Sequence, residues 1–189
     1  MDGPDDREPR ARFEYLYDRY QAELLRYAAR RVGVAQAEDV VAEAFTVAWR
    51  RVQEIPEDAP RPWLYATVRR VVANHLRSEN RKGRLTDRLS RYVAVPLVIE
   101  DHADDLISRL HLAAAFSSLP IRDQEILQLT EWERLPNAEA ALVIGCSAKT
   151  FAVRLHRARR RLAARLAGDP DDAMPTLSRS TTHAVSREQ

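Results

Sequence analysis

The chain of 189 residues has a single cysteine, Cys146, which excludes an internal disulfide framework and any thiolate zinc cluster. Five glycines leave little room for a glycine-rich phosphate cradle. No run of roughly 18 apolar residues occurs, so no segment reads as a membrane-spanning helix. The N-terminus, Met1-Asp2-Gly3-Pro4-Asp5-Asp6, is acidic and carries no apolar core, so it does not read as a secretory signal. The histidines His75, His102, His111, His156 and His183 are scattered, with no spacing that suggests a metal site or an activated nucleophile. The expectation is a cytoplasmic, non-enzymatic protein with no catalytic residue, no metal and no cofactor.

What the chain does contain is 45% hydrophobic residues, as soluble globular proteins do, and a partitioned charge hidden by a net of +2. Residues 35–58 carry six acids and two bases, a net of −4. Residues 61–91 carry nine bases against Glu79 and Asp87, a net of +7, and residues 149–166 carry seven bases and no acid. Two separate basic blocks point to two contacts with a polyanion, and the acidic block points to a different partner. Arginine is common throughout, and only Lys82 and Lys149 are lysines. The clustering therefore says more than the abundance.

The periodicity predicts an all-α chain of two small helical domains joined by an extended linker. Residues 1–10 read as an acidic tail and 11–91 as a first domain. Its helices are expected over about Phe13–Arg31, Ala37–Val52 and Trp63–Arg81, with Gly33 ending the first and Pro56, Pro60 and Pro62 enclosing a loop before the third. Residues 92–104, apolar and then acidic, read as an extended linker, because a lone strand would find nothing to pair with. A second domain spans 105–167 in about four helices, with Pro120 opening one, Gly145 closing another and Ser147 as an N-cap. The tail 168–189 is expected to be disordered.

Residues Asn137–Phe151 read as helix, glycine turn, helix. In the last helix Phe151, Leu155, Ala158, Leu162 and Leu166 share the buried stripe. Ser147, Lys149, Thr150, Ala152, Val153, His156, Arg157 and Arg160 then face outward, where the first two turns can meet base edges and the later arginines phosphates. A solvated arginine-rich helix would have the same composition; the Gly-Cys-Ser turn at the right distance before it favours duplex DNA. By itself this module fits an operator-binding regulator.

At about 100° per residue, Leu64, Val68, Val71, Val72 and His75 share one face of the third helix. Trp63, Arg70, Asn74, Arg77 and Arg81 lie opposite, with Arg69 beside them. An exposed aromatic in line with arginines suits unstacked bases, although a tryptophan packed against the preceding loop would give the same pattern. Glu38, Asp39, Glu43 and Trp49 lie outside the apolar stripe of the second helix. Glu38 and Asp39 also suit a helix N-terminus; as a binding face the set fits protein, with Trp49 as an anchor.

These segments together resemble a family. Asp18-Arg19-Tyr20, Leu25-Arg26-Tyr27-Ala28 and Ala37–Arg50 are similar to regions 2.1 and 2.2 of the extracytoplasmic-function sigma factors. Pro62–Arg70 through Arg77 resembles the regions that melt and read the −10 promoter element. Leu119-Pro120, Gln124–Leu127 and the helix-turn-helix ending Arg154–Arg159 resemble region 4, which binds the −35 element. The resemblance implies a promoter-specificity subunit of bacterial RNA polymerase, with core polymerase and promoter DNA, duplex and single-stranded, as partners. It places Glu38, Asp39, Glu43 and Trp49 against core polymerase, and Trp63, Arg69, Arg70, Asn74, Arg77 and Arg81 against the −10 strand. It also implies an anti-sigma factor as a possible partner. Arg70, Asn74, Lys149, Ala152 and Val153 stand where the family usually carries other residue types.

Overall fold

Proline and glycine set most of the helix boundaries in the computed structural model, which describes residues 7–81 and 103–168. In order these are α1 (Arg7–Val32), α2 (Val34–Arg50), a 3₁₀ turn (Val52–Glu54), α3 (Pro60–Arg81), α4 (Ala103–Ser117), α5 (Ile121–Leu127), α6 (Asn137–Ile144) and α7 (Ala148–Ala167). All elements among the described residues are helical, and no helix is long and apolar enough to cross a membrane. The predicted linker over 92–102 and the tail over 169–189 lie outside the described residues.

Several boundaries differ from the sequence reading, among them the start of α4 at Ala103, inside the stretch 92–104 read as linker. α1 begins at Arg7, inside the stretch read as an acidic tail; Pro9 falls in its first turn, where no intrahelical N–H partner is lost, and Arg12 donates to the carbonyl of Ile55. α2 starts at Val34, directly after Gly33. α3 starts at Pro60 and holds Pro62 in its first turn, so two prolines expected in a loop are helical.

In α2 the residues Ala37, Val40, Val41, Ala44, Phe45 and Ala48 are buried, the spacing of one helical stripe. They meet Leu16, Leu24 and Ala28 of α1 and Leu64, Val68 and Val72 of α3 in the core of the first half. In the second half Phe151, Leu155 and Ala158 of α7 are buried, with Leu162 partly so and Leu166 at the exposed end. The side-chain amide of Gln124 donates to the carbonyls of Ser117 and Leu119, fastening α5 under the end of α4. α5 does not stop at Leu127 but widens into a π turn, Gln128–Trp132. Glu133 N–H closes that turn on the Gln128 carbonyl, and Arg134 follows with φ 50°. Nothing in the periodicity signals this turn.

The halves are not independent. α3 packs on α6, and the buried residues form one cluster that runs through both.

Gly145 takes φ 78° at the end of α6, and the N–H groups of Gly145 and Cys146 both return to the Ala141 carbonyl. Nothing lies within 4 Å of where a Cβ would stand, so a side chain would meet backbone strain and no clash. Gly145→Ala is therefore expected to cost about 1 kcal/mol, and Gly145→Asn less, in urea unfolding midpoints at unchanged m-value.

Candidate nucleic-acid and protein interfaces

Ser147 starts α7 as an N-cap: its Oγ accepts from Thr150 N–H at 3.1 Å and lies 2.8 Å from Thr150 Oγ1. With Phe151, Leu155 and Ala158 turned inward, Ser147, Lys149, Thr150, Ala152, Val153, His156, Arg157 and Arg160 are all exposed. Two other arginines of the helix are held by carboxylates: Arg159 by Glu131 at 2.7 Å and Arg161 by Asp123 at 2.5 Å. The basic residues of α7 are thus divided between those that fix the helix on its domain and those that face solvent.

The α3 strip is less uniform than its spacing suggests. Arg70, Asn74 and Arg77 are exposed, and Arg77 donates to the Asn74 side-chain oxygen. Arg81 stands at the helix end. Trp63, expected to be exposed, is half-buried against the core, and the Arg51 guanidinium lies 5.9 Å from its ring centroid. Arg69 is turned away from the strip. Its guanidinium grips Glu125 of α5 at 2.6 and 3.1 Å, and that pair of hydrogen bonds raises its pKa further.

On α2, Glu38, Asp39, Glu43 and Trp49 are all exposed. They do not form one patch. Glu38 and Trp49 border a groove of about 550 Å³ between α1 and α2, whereas Asp39 and Glu43 lie off it. The groove is floored by aromatic rings that sequence reasoning did not assign: Phe13 stands edge-on to Trp49 at 5.2 Å and to Phe45 at 6.0 Å, and Tyr17 lies 4.8 Å from Phe45. The apolar positions of α1 could have indicated Phe13, but not that Trp49 would meet it.

Sequence reasoning also missed the polar seam between the halves. Glu133, 6% exposed, accepts two bonds from Arg30 at 3.2 and 2.5 Å, with Arg31 at 3.8 Å and the Tyr65 hydroxyl at 3.5 Å. Arg61 joins the same seam, paired with Glu23 at 3.1 Å, bonded to the Glu133 carbonyl at 3.0 Å, and 3.7 Å from Glu139. Tyr65 packs edge-on to Tyr27 at 4.9 Å. Burial pushes the Tyr27 hydroxyl up to about 12, and burial with the adjacent Glu133 charge pushes Tyr65 higher, so both stay neutral, the Tyr65 hydroxyl donating to Glu133 and the buried Tyr27 hydroxyl meeting no partner among the described residues.

Comparison with known proteins accounts for both halves. Residues 16–82 match the family model Sigma-70 region 2, and residues 109–162 match Sigma-70, region 4. The ECF RNA polymerase sigma factor SigL of Mycobacterium tuberculosis is 31% identical over 153 residues, covering 78% of this chain and 84% of the relative. The RNA polymerase sigma factor CnrH of Cupriavidus metallidurans is 30% identical over 162 residues, covering 78% and 83%. Among solved structures, the sigma factor RpoE in complex with the anti-sigma factor NepR from Bartonella quintana superposes with a TM-score of 0.62 at 22% identity, covering 83% of this chain and 98% of that one. CnrH in complex with the cytosolic domain of CnrY gives 0.56 at 24%, covering 83% and 88%. With two ordered region matches and relatives aligned over most of their length, the chain belongs to the extracytoplasmic-function sigma factors, the promoter-specificity subunits of bacterial RNA polymerase.

Proposed function

We propose that the three faces divide promoter recognition among themselves. The exposed side of α7 reads the −35 duplex, with Lys149, Thr150, Ala152, Val153 and His156 toward base edges and Ser147, Arg157 and Arg160 toward phosphates. The α3 strip, Arg70, Asn74, Arg77 and Arg81 with the edge of Trp63, holds the displaced −10 strand, and Arg69 joins it once released from Glu125. Separating stacked bases costs a few kcal/mol per step, which cationic and stacking contacts on such a strip offset. The groove bordered by Glu38 and Trp49 docks on core polymerase, with the exposed Asp39 and Glu43 as a separate acidic contact off the groove. The chemistry of RNA synthesis belongs to the polymerase.

The observation that carries this reading is the split of one residue type by environment. Among the described residues, Arg70 and Arg77 of α3 and Arg157 and Arg160 of α7 are exposed and meet no carboxylate, while Arg69, Arg159 and Arg161 are paired. An operator-binding regulator would use α7 alone and leave the α2 groove and the α3 strip without a role. An anti-sigma partner is part of the proposal, by likeness to the RpoE complex with NepR.

Pull-down with core polymerase followed by run-off transcription tests the whole. The purified chain should bind core and confer initiation at its own promoter, and failure to associate would overturn the reading. Trp49→Ala should weaken the complex with core by about 2 kcal/mol, roughly 30-fold in Kd by titration, because Trp49 is an exposed anchor beside an apolar groove. Arg157→Ala should lower affinity for −35 duplex and reduce the slope of log K against log salt by about 1. Arg70→Ala with Arg77→Ala should leave binding to core unchanged and diminish strand opening, read by permanganate reactivity of unpaired thymines.

A further inference from the structure

Between α3 and α5 lies a cavity of about 670 Å³, within the range of roughly 300–1,000 Å³ usual for small-ligand pockets. The buried side chains that border it are polar as well as apolar. Arg31, Gln124 and Gln128 are among them, at 5%, 5% and 7% exposed. Arg31 lies on the Tyr27 ring and donates through Nη1 to the Tyr27 carbonyl, and the Gln124 amide nitrogen donates to the carbonyls of Ser117 and Leu119. That leaves Arg31 Nη2 and Gln124 Oε1 buried with no hydrogen-bond partner among the described residues. A buried donor and a buried acceptor left unpaired each carry a desolvation cost, which a bound group of matching polarity removes.

The outer border has a different character. Arg70 and Arg77 stand there, exposed and meeting no carboxylate among the described residues, whereas Arg69 beside them is paired with Glu125. Val72 and Leu76 supply an apolar wall from α3, and Ile121, 63% exposed, continues it from α5. Cations outside, an apolar wall and a buried donor and acceptor are the complements of three parts of one molecule. These are a phosphate chain, a flat ring, and a ring edge that both donates and accepts.

We infer that this cavity is a nucleotide site, with the base inward against Val72 and Leu76, its edge on Gln124 Oε1 and Arg31 Nη2, and the phosphates on Arg70 and Arg77. Adenine has the required edge, since its exocyclic amine donates and its ring nitrogens accept. A bare polyphosphate matches the arginines alone, because it presents no apolar face to the wall. Arg70 and Arg77 are also the cations assigned above to the displaced −10 strand, so a bound nucleotide and that strand exclude one another. This exclusion rests on the strand assignment; the site itself does not.

The experiment is calorimetric titration of the full chain with ATP, tripolyphosphate and adenosine, without divalent cation. ATP should bind at one site per chain with a Kd of about 0.1 mM or tighter, and the other two at least roughly tenfold more weakly. Ala73→Leu fills the cavity from α3 without removing a cation. It should lower ATP affinity by roughly tenfold or more and leave tripolyphosphate binding unchanged. Ile121→Ala, at an exposed position, should lower ATP affinity less, and decides the matter if Ala73→Leu loses helical content by circular dichroism. No ATP binding, or tripolyphosphate bound as tightly as ATP, overturns the nucleotide site. Unchanged ATP affinity in the folded variants overturns its placement in this cavity. ATP should also displace a fluorescent single-stranded oligodeoxynucleotide from the unaltered chain, and displace less from Ala73→Leu at the same concentration. Equal displacement from the two chains overturns the exclusion. Saturable ATP binding together with normal strand opening by Arg70→Ala with Arg77→Ala in the polymerase complex keeps the site and removes the strand assignment.

Discussion

A carboxylate buried between two domains has to be answered by charge and hydrogen bonds, and Glu133 sets that requirement for this protein. Its side chain is 3% exposed and meets Arg30 on two bonds, with Arg31 and the Tyr65 hydroxyl completing the shell. Burying such a pair brings little net stability, because desolvation offsets most of the attraction, while removing one partner costs about 3–5 kcal/mol. The arrangement therefore selects a geometry more than it strengthens the fold. Tyr27 and Tyr65, fully buried and packed on one another, supply the dry wall that makes this selectivity possible.

Around that point the same side chain does three jobs. Arginine is planar and always charged, so it can close on a carboxylate in a fork, lie against an aromatic ring, or face solvent as a phosphate ligand. Arg69 and Arg30 take the first role, Arg31 stacks on Tyr27 at 3.5 Å while donating to the Tyr27 carbonyl, and Arg70, Arg157 and Arg160 face solvent, where the proposed function places phosphate. Charge counts along the chain cannot separate these roles. Only the position of the opposing acid does.

This explains which features were legible beforehand. Helix type and buried faces follow from local periodicity, so α2, α3 and α7 could be read from residues such as Phe45, Val68 and Phe151. The turn between α6 and α7 was equally readable, since Gly145 and Ser147 are residue types that the backbone itself demands. The placement of Arg69 was not, because its partner Glu125 lies 56 residues away across a packing choice between two domains. Trp63 illustrates the intermediate case. It was read opposite the apolar face of α3, but it packs against the core with Arg51 beside its ring, a contact that no spacing along α3 encodes. The Phe13–Trp49 contact likewise needed the α1–α2 crossing, which neither helix encodes alone.

The widened turn after α5 acts as a phase adjuster. One residue advances a helix by about 100°, so the extra residue at Gln128–Trp132 rotates everything downstream relative to the first turns of α5. That offset lets Glu131 face one neighbour and Glu133 the other while Asp123 and Glu125 do the same a few residues earlier. An insertion or deletion of a single amino acid there would scramble the angular register of both acidic pairs at once, whereas most point replacements would disturb only one. Length is therefore the property of this segment under the tightest physical constraint.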